Sequence, residues 1–525
     1  MKLLSLMLLL VARPLSALEL PSSPPDSWSD AGRGLPVLAE GRVMPLASWA
    51  RVLSFRITGR ENDPKATTWL LELLAGFPAS ASEPIFMIND AAILRAEGLN
   101  FTERRLYSVQ ELGPLLIPDR VAALKLRYQD DPTPLGKEGA RLARALESWL
   151  ALLEPDQAGF RVFLPASEGL TPLQLTSRKG RTEAQTQDLG LWLYWRNLSR
   201  KGQWKEAEQA LALWAQRSQD ALGLVNQVRL ELLHNAVPWV LLLGLLAFLG
   251  FTTRWWPSRF RQRGLQSIVL GCLAVSTLWL VVRMLLTGRP PVTNLPSTFL
   301  FTGWLFLVLA AVLVYRESRQ GIAVLALITG AVLPYFSGLF VGGGDPFMPP
   351  QAVLNTNFWL ALHVSMISGG YAAVLVSALV GHAYLWTAAS RKPGNLTPLW
   401  NALSASLVWG LSLTFVGTLL GGFWADQSWG RFWGWDPKEN GALLIILWTA
   451  LVLHLRATGW AQEWGTAFAA AMGLSVLLFS WMGVNLLGQG FHSYSATTGK
   501  ATLFFGLLAL DALFLATLAV RRVLR

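Results

Sequence analysis

Residues 357–386 read "NFWLALHVSMISGGYAAVLVSALVGHAYLW" and contain no Asp, Glu, Lys or Arg. Because about 20 apolar residues in a helix cross the hydrocarbon core of a bilayer, this run predicts a transmembrane helix. Further apolar runs, each of about 20 residues, cover residues 236–253, 265–286, 298–315, 321–341, 401–423, 441–456, 464–486 and 501–520. The sequence therefore predicts an all-α polytopic membrane protein with about nine transmembrane helices.

The chain divides into two parts of different composition. Charged residues make up 15% of the 525 residues, against roughly 25% in soluble proteins. Residues 18–235 nevertheless contain acids and bases throughout, whereas residues 236–525 are a series of apolar runs. We expect a mostly helical soluble domain over 18–235, with amphipathic helices at 139–154 and 199–233 and a strand in "FRVFLPA". A transmembrane domain follows over 236–525.

The first 17 residues, "MKLLSLMLLLVARPLSA", have the pattern of a signal peptide: a Lys, a short apolar core and small residues near Ala17. Leu15 occupies a position where a small residue is preferred, so an uncleaved membrane anchor is the alternative. Either interpretation makes the domain at 18–235 extracytoplasmic.

The loops between the apolar runs differ in charge. One alternate set, "TRWWPSRFRQRG", "YRESRQ", "SRKPGN", "RATG" and the tail "RRVLR", is far richer in Lys and Arg than the other. The positive-inside rule makes that set cytoplasmic. The loop at 424–440 then lies on the extracytoplasmic, periplasmic side of a plasma (inner) membrane. The net charge of +11 has the same origin, and we expect lipid and no nucleic acid as a partner.

The chain has one cysteine, Cys272, inside the second apolar run. An intrachain disulfide, a CxxC redox pair and a CxxCH haem-attachment motif are therefore excluded. The protein is not itself a c-type cytochrome or a thiol oxidoreductase.

The five histidines sort by depth: His234, His363, His382, His454 and His492. His363 and His492 lie at the outer level, together with the loop at 424–440. His382 follows His363 by 19 residues in one run, which places it about 28 Å deeper at 1.5 Å per residue. His454 lies at a similarly deep level. Taken singly, a membrane histidine more often hydrogen-bonds a neighbouring helix than binds a ligand.

The loop "WADQSWGRFWGWDPKEN" at 424–440 places four tryptophans in twelve positions. Haem is a flat, apolar, anionic macrocycle whose iron takes imidazole ligands, and Lys or Arg can pair with its propionates. Indole rings beside two outer histidines fit it. Zinc fits less well, because ligating cysteines and short-spaced histidines are absent. An interfacial aromatic belt is the alternative, although it explains scattered tryptophans better than this cluster.

The segment "WGRFWGWDPKEN" (429–440) resembles the WWD signature of haem-handling proteins of cytochrome c maturation. Segments 349–373, 443–459 and 490–499 resemble the three histidine-bearing segments of the CcsA/ResC family, the WWD-motif membrane subunit of the system II cytochrome c synthase. "PPVTNLPSTFLF" (290–301) resembles an outer-loop segment of that family, with Leu-Pro where a Tyr-Glu pair is usual. The tryptophan motif alone also fits CcmF-type and CcmC-type proteins; "GFHSY" and "LHLR" favour CcsA.

The resemblance implies a function in cytochrome c biogenesis and a set of haem-binding residues. His363 and His492 correspond to outer axial ligands of the haem iron, and His454 to the histidine of an inner haem site. The remaining cofactor-binding candidates are Trp424, Trp429, Trp433, Trp435, Asp436 and Lys438. The family carries haem b outward as its substrate and acts as a haem lyase, attaching it to the CxxCH thiols of apocytochrome c. No catalytic nucleophile is expected here. The alternative is a haem exporter or chaperone without ligation activity.

The resemblance also implies a partner, because the family's inner site takes its second histidine from a ResB/CcsB-like membrane subunit. His382 lies at a compatible depth, so its pairing with His454 is a hypothesis, and a role in helix packing is the alternative. Arg283, near the outer end of its run, is a weaker candidate for a haem propionate. Asp511 lies mid-run, where an ionisable group is costly and is by default a functional candidate.

Overall fold

The structure is a computed structural model. It describes residues 24–39, 42–59, 63–75, 84–99, 105–129, 131, 133–153, 160–162, 180–316, 319–341, 345–347, 357–390, 394–484 and 501–523. The predicted signal peptide at 1–17 and His492 lie outside the described residues. The chain forms two compact units. The first extends to Val228 without Glu40–Arg42, and the second, the membrane unit, contains Arg229 onward together with Glu40–Arg42.

The first unit is mainly helical. Its elements are α1 (Asp26–Gly32), β1 (Pro36–Ala39), β2 (Arg42–Pro45), α2 (Leu46–Thr58), α3 (Ala66–Ala75), β3 (Pro84–Met87), α4 (Ala92–Ala96), β4 (Leu106–Ser108), α5 (Pro118–Tyr128), α6 (Pro134–Leu153), β5 (Phe160–Val162), α7 (Glu183–Arg200) and α8 (Trp204–Ala221). The strands form a sheet of order β2–β1–β5 and a β3–β4 pair. In its core, buried Trp28 and Trp195 stack with ring centroids 6.0 Å apart.

The helix predicted over 199–233 is interrupted twice. The segment contains the end of α7, then α8, then most of α9 (Val225–Ala236). Gly202 and Gly223 lie at the breaks with φ of 68° and 65°. Because glycine adopts this left-handed conformation without steric cost, it commonly ends a helix.

The membrane unit continues with α10 (Trp239–Thr252), α11 (Ser258–Thr287), α12 (Leu295–Leu313), α13 (Gln320–Val341), α14 (Asn357–Ala388), α15 (Thr397–Trp429), α16 (Pro437–Ala457), α17 (Glu463–Leu478), a π-helical turn (Phe479–Gly483) and α18 (Ala501–Val523). Among the described residues, eight helices are long and apolar enough to cross a membrane, or nine if the bent pair of α9 and α10 is one span. The prediction of an all-α polytopic membrane protein is confirmed.

The first predicted span differs from the others in shape. Over 236–253 the main element is the 14-residue helix α10, which a 3₁₀ turn at Thr253–Trp255 follows. Helix α9 precedes α10 with a bend of 48°. Pro238 stands between the two helices and caps α10. A proline has no backbone N–H to donate and its ring clashes with the preceding turn, so a continuous helix is interrupted there.

Helices α14 and α15 cross closely because glycines face their contact. A Cβ on Gly417 would lie 2.9 Å from the backbone nitrogen of Ile367, and one on Gly421 would lie 2.6 Å from Cε1 of His363. Small residues allow membrane helices to approach to backbone distance. This crossing fixes where His363 lies relative to the end of α15. Residues 430–436, the tryptophan loop from here on, connect α15 to α16, so Trp424 and Trp429 of the loop predicted over 424–440 belong to α15.

Candidate functional site

A pocket opens in the membrane unit where one end of α12, α14, α15 and α16 meets the π-helical turn. Its lining includes five of the residues predicted from the sequence: His363, Trp424, Trp429, Trp433 and Lys438. These residues come from α14, α15, the tryptophan loop and α16, so the fold brings together side chains that are up to 75 positions apart in the chain.

His363 is oriented by the backbone of α15. Its Nδ1 lies 2.8 Å from the carbonyl oxygen of Gly417, and since a carbonyl can only accept, Nδ1 carries the proton. The ring lone pair is then on Nε2. Metal-ligating histidines usually have their other ring nitrogen fixed by a hydrogen bond of this kind. The Trp424 ring lies beside His363, with centroids 5.7 Å apart.

The four tryptophans of the segment 424–440 do not share one environment. Trp424 is buried and packs with Leu360, and Trp429 packs against the same cluster. The indole N–H of Trp424 is buried without an acceptor among the described residues. Trp435 is 70% exposed and is not part of the described pocket lining; its ring meets that of Trp433 edge-on at 6.0 Å. The buried donor of Trp424 is a group that a ligand with acceptor atoms can satisfy.

The polar end of the loop is a helix cap. Asp436 is the N-cap of α16, where Oδ1 accepts from the backbone nitrogen of Lys438. Oε2 of Glu439 accepts from the backbone nitrogens of Gly434 and Asp436, at 2.8 and 3.1 Å. This is a capping box, and it positions the loop. Trp435, immediately before the cap, has a φ of 57°, the only positive φ of a non-glycine residue in the described part of the chain.

Lys438 reaches from the first turn of α16 to the π-helical turn, where its Nζ donates to the carbonyl oxygen of Trp481 at 2.8 Å. The Trp481 indole N–H donates to Oγ1 of Thr298 at 2.8 Å, and its ring stacks on Phe299 at 4.4 Å. Tyr371 lies against Trp481 with ring centroids 5.8 Å apart. π-helical turns are frequent at functional sites because they redirect backbone groups.

Sequence reasoning missed Trp481 and Tyr371, which both line the pocket. For Trp481 a signal existed: it lies near the end of the run 464–486 that was assigned to the same side as the tryptophan loop. For Tyr371, in the middle of an apolar run, the sequence offered no such signal.

The deep histidines lie away from this pocket. His454 is exposed on the surface of α16. His382 has both ring nitrogens engaged with groups other than His454: Nδ1 with the carbonyl oxygen of Ala378 at 2.7 Å and Nε2 with Oδ1 of Asp511 at 2.8 Å. Oδ2 of Asp511 accepts from the hydroxyl of Ser475 at 2.7 Å. These contacts tie α14, α17 and α18 together.

Arg283 is likewise not among the pocket-lining residues; its guanidinium is buried and donates to the carbonyl oxygen of Pro346 at 2.6 Å. Close by in the membrane unit, Arg42 pairs with Glu231 at 2.7 Å and with Asp345 at 2.5 Å. Burial would lower the pKa of Arg42, but the hydrogen bonds that it donates to both carboxylates, together with their negative charges, raise that pKa above its ordinary value. These contacts join Arg42 to α9 and to the segment 345–347.

Comparison with known proteins identifies the family of this chain. The sequence profile described as Cytochrome C assembly protein matches residues 292–492. CcsA of Synechococcus sp. (strain RCC307), a cytochrome c biogenesis protein, is 31% identical over 304 residues, covering 49% of this chain and 95% of that protein. CcsA of Chlamydomonas reinhardtii is 33% identical over 241 residues, covering 42% and 67%. The chain belongs to the CcsA family. The resemblance inferred from the sequence is thus confirmed. The function of the chain lies in cytochrome c biogenesis.

The residues matched by the family profile include the site. Every described residue that lines the pocket, from Val292 to Trp481, lies within the profile match at 292–492. Arg42 and Glu231 lie before that match, and Asp511 lies after it. Protein NrfI of Wolinella succinogenes is 32% identical over 280 residues, but the match spans 51% of this chain and only 30% of NrfI.

Proposed function

We propose that this CcsA-family chain binds haem b in the pocket with His363 as an axial ligand of the iron, and presents it for covalent attachment to an apocytochrome c. The observation that carries the proposal is the hydrogen bond from His363 Nδ1 to Gly417, which directs the Nε2 lone pair for coordination. A histidine that only packed helices together would not need tryptophans and a lysine around one cavity.

The pocket lining offers suitable groups for the macrocycle, the iron and the carboxylates of haem. The macrocycle is flat and apolar, and Trp424, Trp429 and Trp433 supply aromatic surface. Its iron takes imidazole. Its carboxylates are acceptors, for which the pocket offers the ammonium of Lys438 and the buried indole N–H of Trp424.

The second axial ligand is proposed to be His492. It follows the π-helical turn in the chain, and that turn is bound to the start of α16 through Lys438 and Trp481. By the positive-inside pattern, this end of the membrane unit faces the extracytoplasmic side, where c-type cytochromes are assembled.

An inner haem site is proposed at His454, sixteen residues after Lys438 in the same helix, hence about 24 Å away. Its exposure on the surface of the helix bundle leaves room for a ligand from a second chain, in agreement with a ResB/CcsB-like subunit. His382 is a poor second ligand because binding iron would break one of its two hydrogen bonds. We assign His382 to helix packing with Asp511.

The attachment step adds a cysteine S–H across a haem vinyl double bond: sulfur bonds one carbon, and a proton ends on the other carbon. No oxidant or external nucleophile is consumed, so the chain itself needs no nucleophilic side chain. Its residues hold the haem in one orientation while the CxxCH segment approaches. Fixing two reactants in the correct geometry supplies much of the rate advantage of such reactions.

Coexpression with a ResB-like subunit and a CxxCH reporter tests this function. We expect haem on the reporter that resists acid–acetone extraction, and its loss with His363→Ala. Leu510→Ala, a change at an exposed position of α18, is the control. A chain that accumulates haem and still leaves the reporter unmodified would indicate an exporter or a chaperone.

A further inference from the structure

We propose that the end of α18 carries a binding site for the headgroup of an anionic phospholipid. The site is formed by Arg521 and Arg522 of α18, Trp386 of α14 and Trp464 of α17. None of these four residues belongs to the described lining of the haem pocket, so the site is independent of the proposed function. Its evidence is the stacking of both arginines on tryptophans, their unpaired charge in the described part of the chain, and the apolar face of α18 that leads to them.

Both arginines lie over indole rings of neighbouring helices. Cζ of Arg522 is 4.4 Å from the ring centroid of Trp464, and Cζ of Arg521 is 5.9 Å from that of Trp386. The ring quadrupole attracts a cation at such distances. Because the N–H donors of a guanidinium lie in its own plane, a contact between its face and a ring leaves them available. A planar fork of donors matches the oxygens of a phosphate group.

The charge of the two arginines is not neutralised by an acid within the described residues. In that part of the chain neither Arg521 nor Arg522 forms an ion pair or a side-chain hydrogen bond. Glu463, the residue before Trp464, already accepts from the hydroxyl of Tyr384 at 2.6 Å. Both arginines are exposed, so an anion from outside the chain can reach them. A phosphate is the anion that their paired forks suit best.

The outer face of α18 offers a surface for the acyl chains of the same lipid. Arg521 follows Leu510 by eleven residues, which is about three turns of helix, so the two residues lie on the same face. Leu510, Leu513 and Val520 are large apolar side chains exposed on this helix. A lipid whose chains lie along them has its headgroup at the level of Arg521. This continuity favours a lipid over a free anion.

All four residues of the site lie at one end of the helix bundle. Arg521 and Arg522 are in the last turn of α18, Trp386 is in the last turn of α14, and Trp464 is the second residue of α17. The positive-inside pattern predicts that this end is cytoplasmic. The inner leaflet carries anionic lipids, and basic sites between transmembrane helices on that side bind their headgroups.

The three helices that carry the site are joined close to it. Asp511 of α18 contacts His382 of α14 at 2.8 Å and Ser475 of α17 at 2.7 Å. Asp511 precedes Arg521 by ten residues, hence by about 15 Å along the axis. The two tryptophans are therefore held at a fixed separation on either side of α18, and the arginines are positioned before a lipid binds.

A rival explanation needs no specific site. Arginines in the last turn of a helix complement the partial negative charge of its carbonyl end, and any positive charge near the surface attracts anionic lipid. Lysine at both positions keeps these two effects, but it replaces the planar fork by a point charge on a flexible stem. The exchange of arginine for lysine therefore separates a built site from general attraction.

The test counts lipids bound to the full-length protein. Protein purified in detergent is mixed with equal amounts of phosphatidylglycerol and phosphatidylcholine that have the same acyl chains, and native mass spectrometry measures the ratio of the two lipids bound. Wild type is compared with the double variants Arg521→Gln with Arg522→Gln and Arg521→Lys with Arg522→Lys. The matched control is Arg254→Gln with Arg316→Gln, which removes two exposed arginines from loops on the same predicted side. Inorganic phosphate and haem are added separately as competitors.

We expect wild type and the control to prefer phosphatidylglycerol by about tenfold to a hundredfold, the range for hydrogen bonds to a charged group. The glutamine pair should reduce that preference to near one, and the lysine pair should lose most of it. Equal binding of both lipids to wild type would overturn the site. Full preference in the lysine pair, or its loss in the control, would show general attraction and overturn the site as well.

The competitors test the identity of the ligand. Neither inorganic phosphate nor haem, at the concentration of the lipid, should displace phosphatidylglycerol, because phosphate lacks acyl chains and haem is expected in its own pocket. Displacement by phosphate would identify a site for the free anion. Displacement by haem would identify a site for its carboxylates. Either result would overturn the assignment to a lipid.

Discussion

His363 and Gly421 face each other where α14 crosses α15: a Cβ on Gly421 would lie 2.6 Å from Cε1 and 2.8 Å from Nδ1 of the His363 ring. The imidazole is therefore confined on one side by a residue that has no side chain, one helical turn from the Gly417 carbonyl that accepts its Nδ1 proton. The geometry of the proposed iron ligand depends on these two glycine positions of α15.

Gly421→Ala should displace the His363 ring and lower the amount of haem bound per protein. The neighbouring atoms belong to a ring fixed by its own hydrogen bond, so they cannot move aside at low cost. Gly506→Ala is the control, because a Cβ there meets nothing within 4 Å and alanine favours the helix by about 1 kcal/mol. Haem content of the purified variants measures the effect; equal content in both would mean that the crossing tolerates the added methyl group.

Trp435 stores backbone strain in the loop, since its φ is 57°. A left-handed conformation costs an L-residue roughly 1–2 kcal/mol, and glycine avoids most of that cost. Trp435→Gly should therefore be more stable than Trp435→Ala by about 1 kcal/mol, although both lose the same exposed ring. Denaturant unfolding in detergent compares the two. If Ala is the more stable variant, the loop does not hold this conformation in solution.

Asp436 can be tested as a cap separately from any haem contact. Asparagine caps helices about as well as aspartate, whereas alanine at an N-cap costs about 1 kcal/mol. We expect Asp436→Asn to keep both stability and haem content, and Asp436→Ala to lose some of each. Loss of haem from a fully stable Asp436→Asn protein would instead assign the carboxylate to the ligand.

His382 and Asp511 should behave as one unit. Removing either partner leaves the other buried without its hydrogen bond, at a cost of about 1–3 kcal/mol. The double variant His382→Gln with Asp511→Asn should therefore be less destabilised than the sum of the single changes, with a coupling of at least about 0.5 kcal/mol. The free energy of unfolding of wild type, the two single variants and the double variant gives this coupling. If His382→Gln alone binds less haem than wild type but is equally stable, His382 would instead be a ligand at the inner site.

Apolar run length was enough to predict most of the fold. A mostly apolar run of about twenty residues has few alternatives to a membrane helix, and eight of the predicted runs are single long helices in the described structure. The prediction of one continuous helix over 236–253 was wrong, because Pro238 separates α9 from α10. That break was readable from the sequence, whereas the 48° bend depends on packing.

The pocket was predictable in part. Sorting residues by depth placed His363 with the tryptophan loop, and the structure brings them together. Depth alone gives no direction around a helix, so it could not show that His382 turns toward Asp511, that Arg283 turns toward Pro346, or that Trp481 turns into the pocket. The pattern "DPKE" also predicts the helix cap that the structure has; the haem-binding roles of Asp436 and Lys438 stay predictions.

The visible absorption spectrum of the detergent-purified protein, produced with ample haem and a ResB-like partner, tests the central claim most directly. It is recorded for wild type and for His363→Gly, with and without added imidazole. The account predicts a low-spin Soret band in wild type, its loss or shift in His363→Gly, and recovery when imidazole enters the vacated space. An unchanged Soret band in His363→Gly, or a colourless wild-type protein, would contradict the assignment of His363 as the ligand of haem.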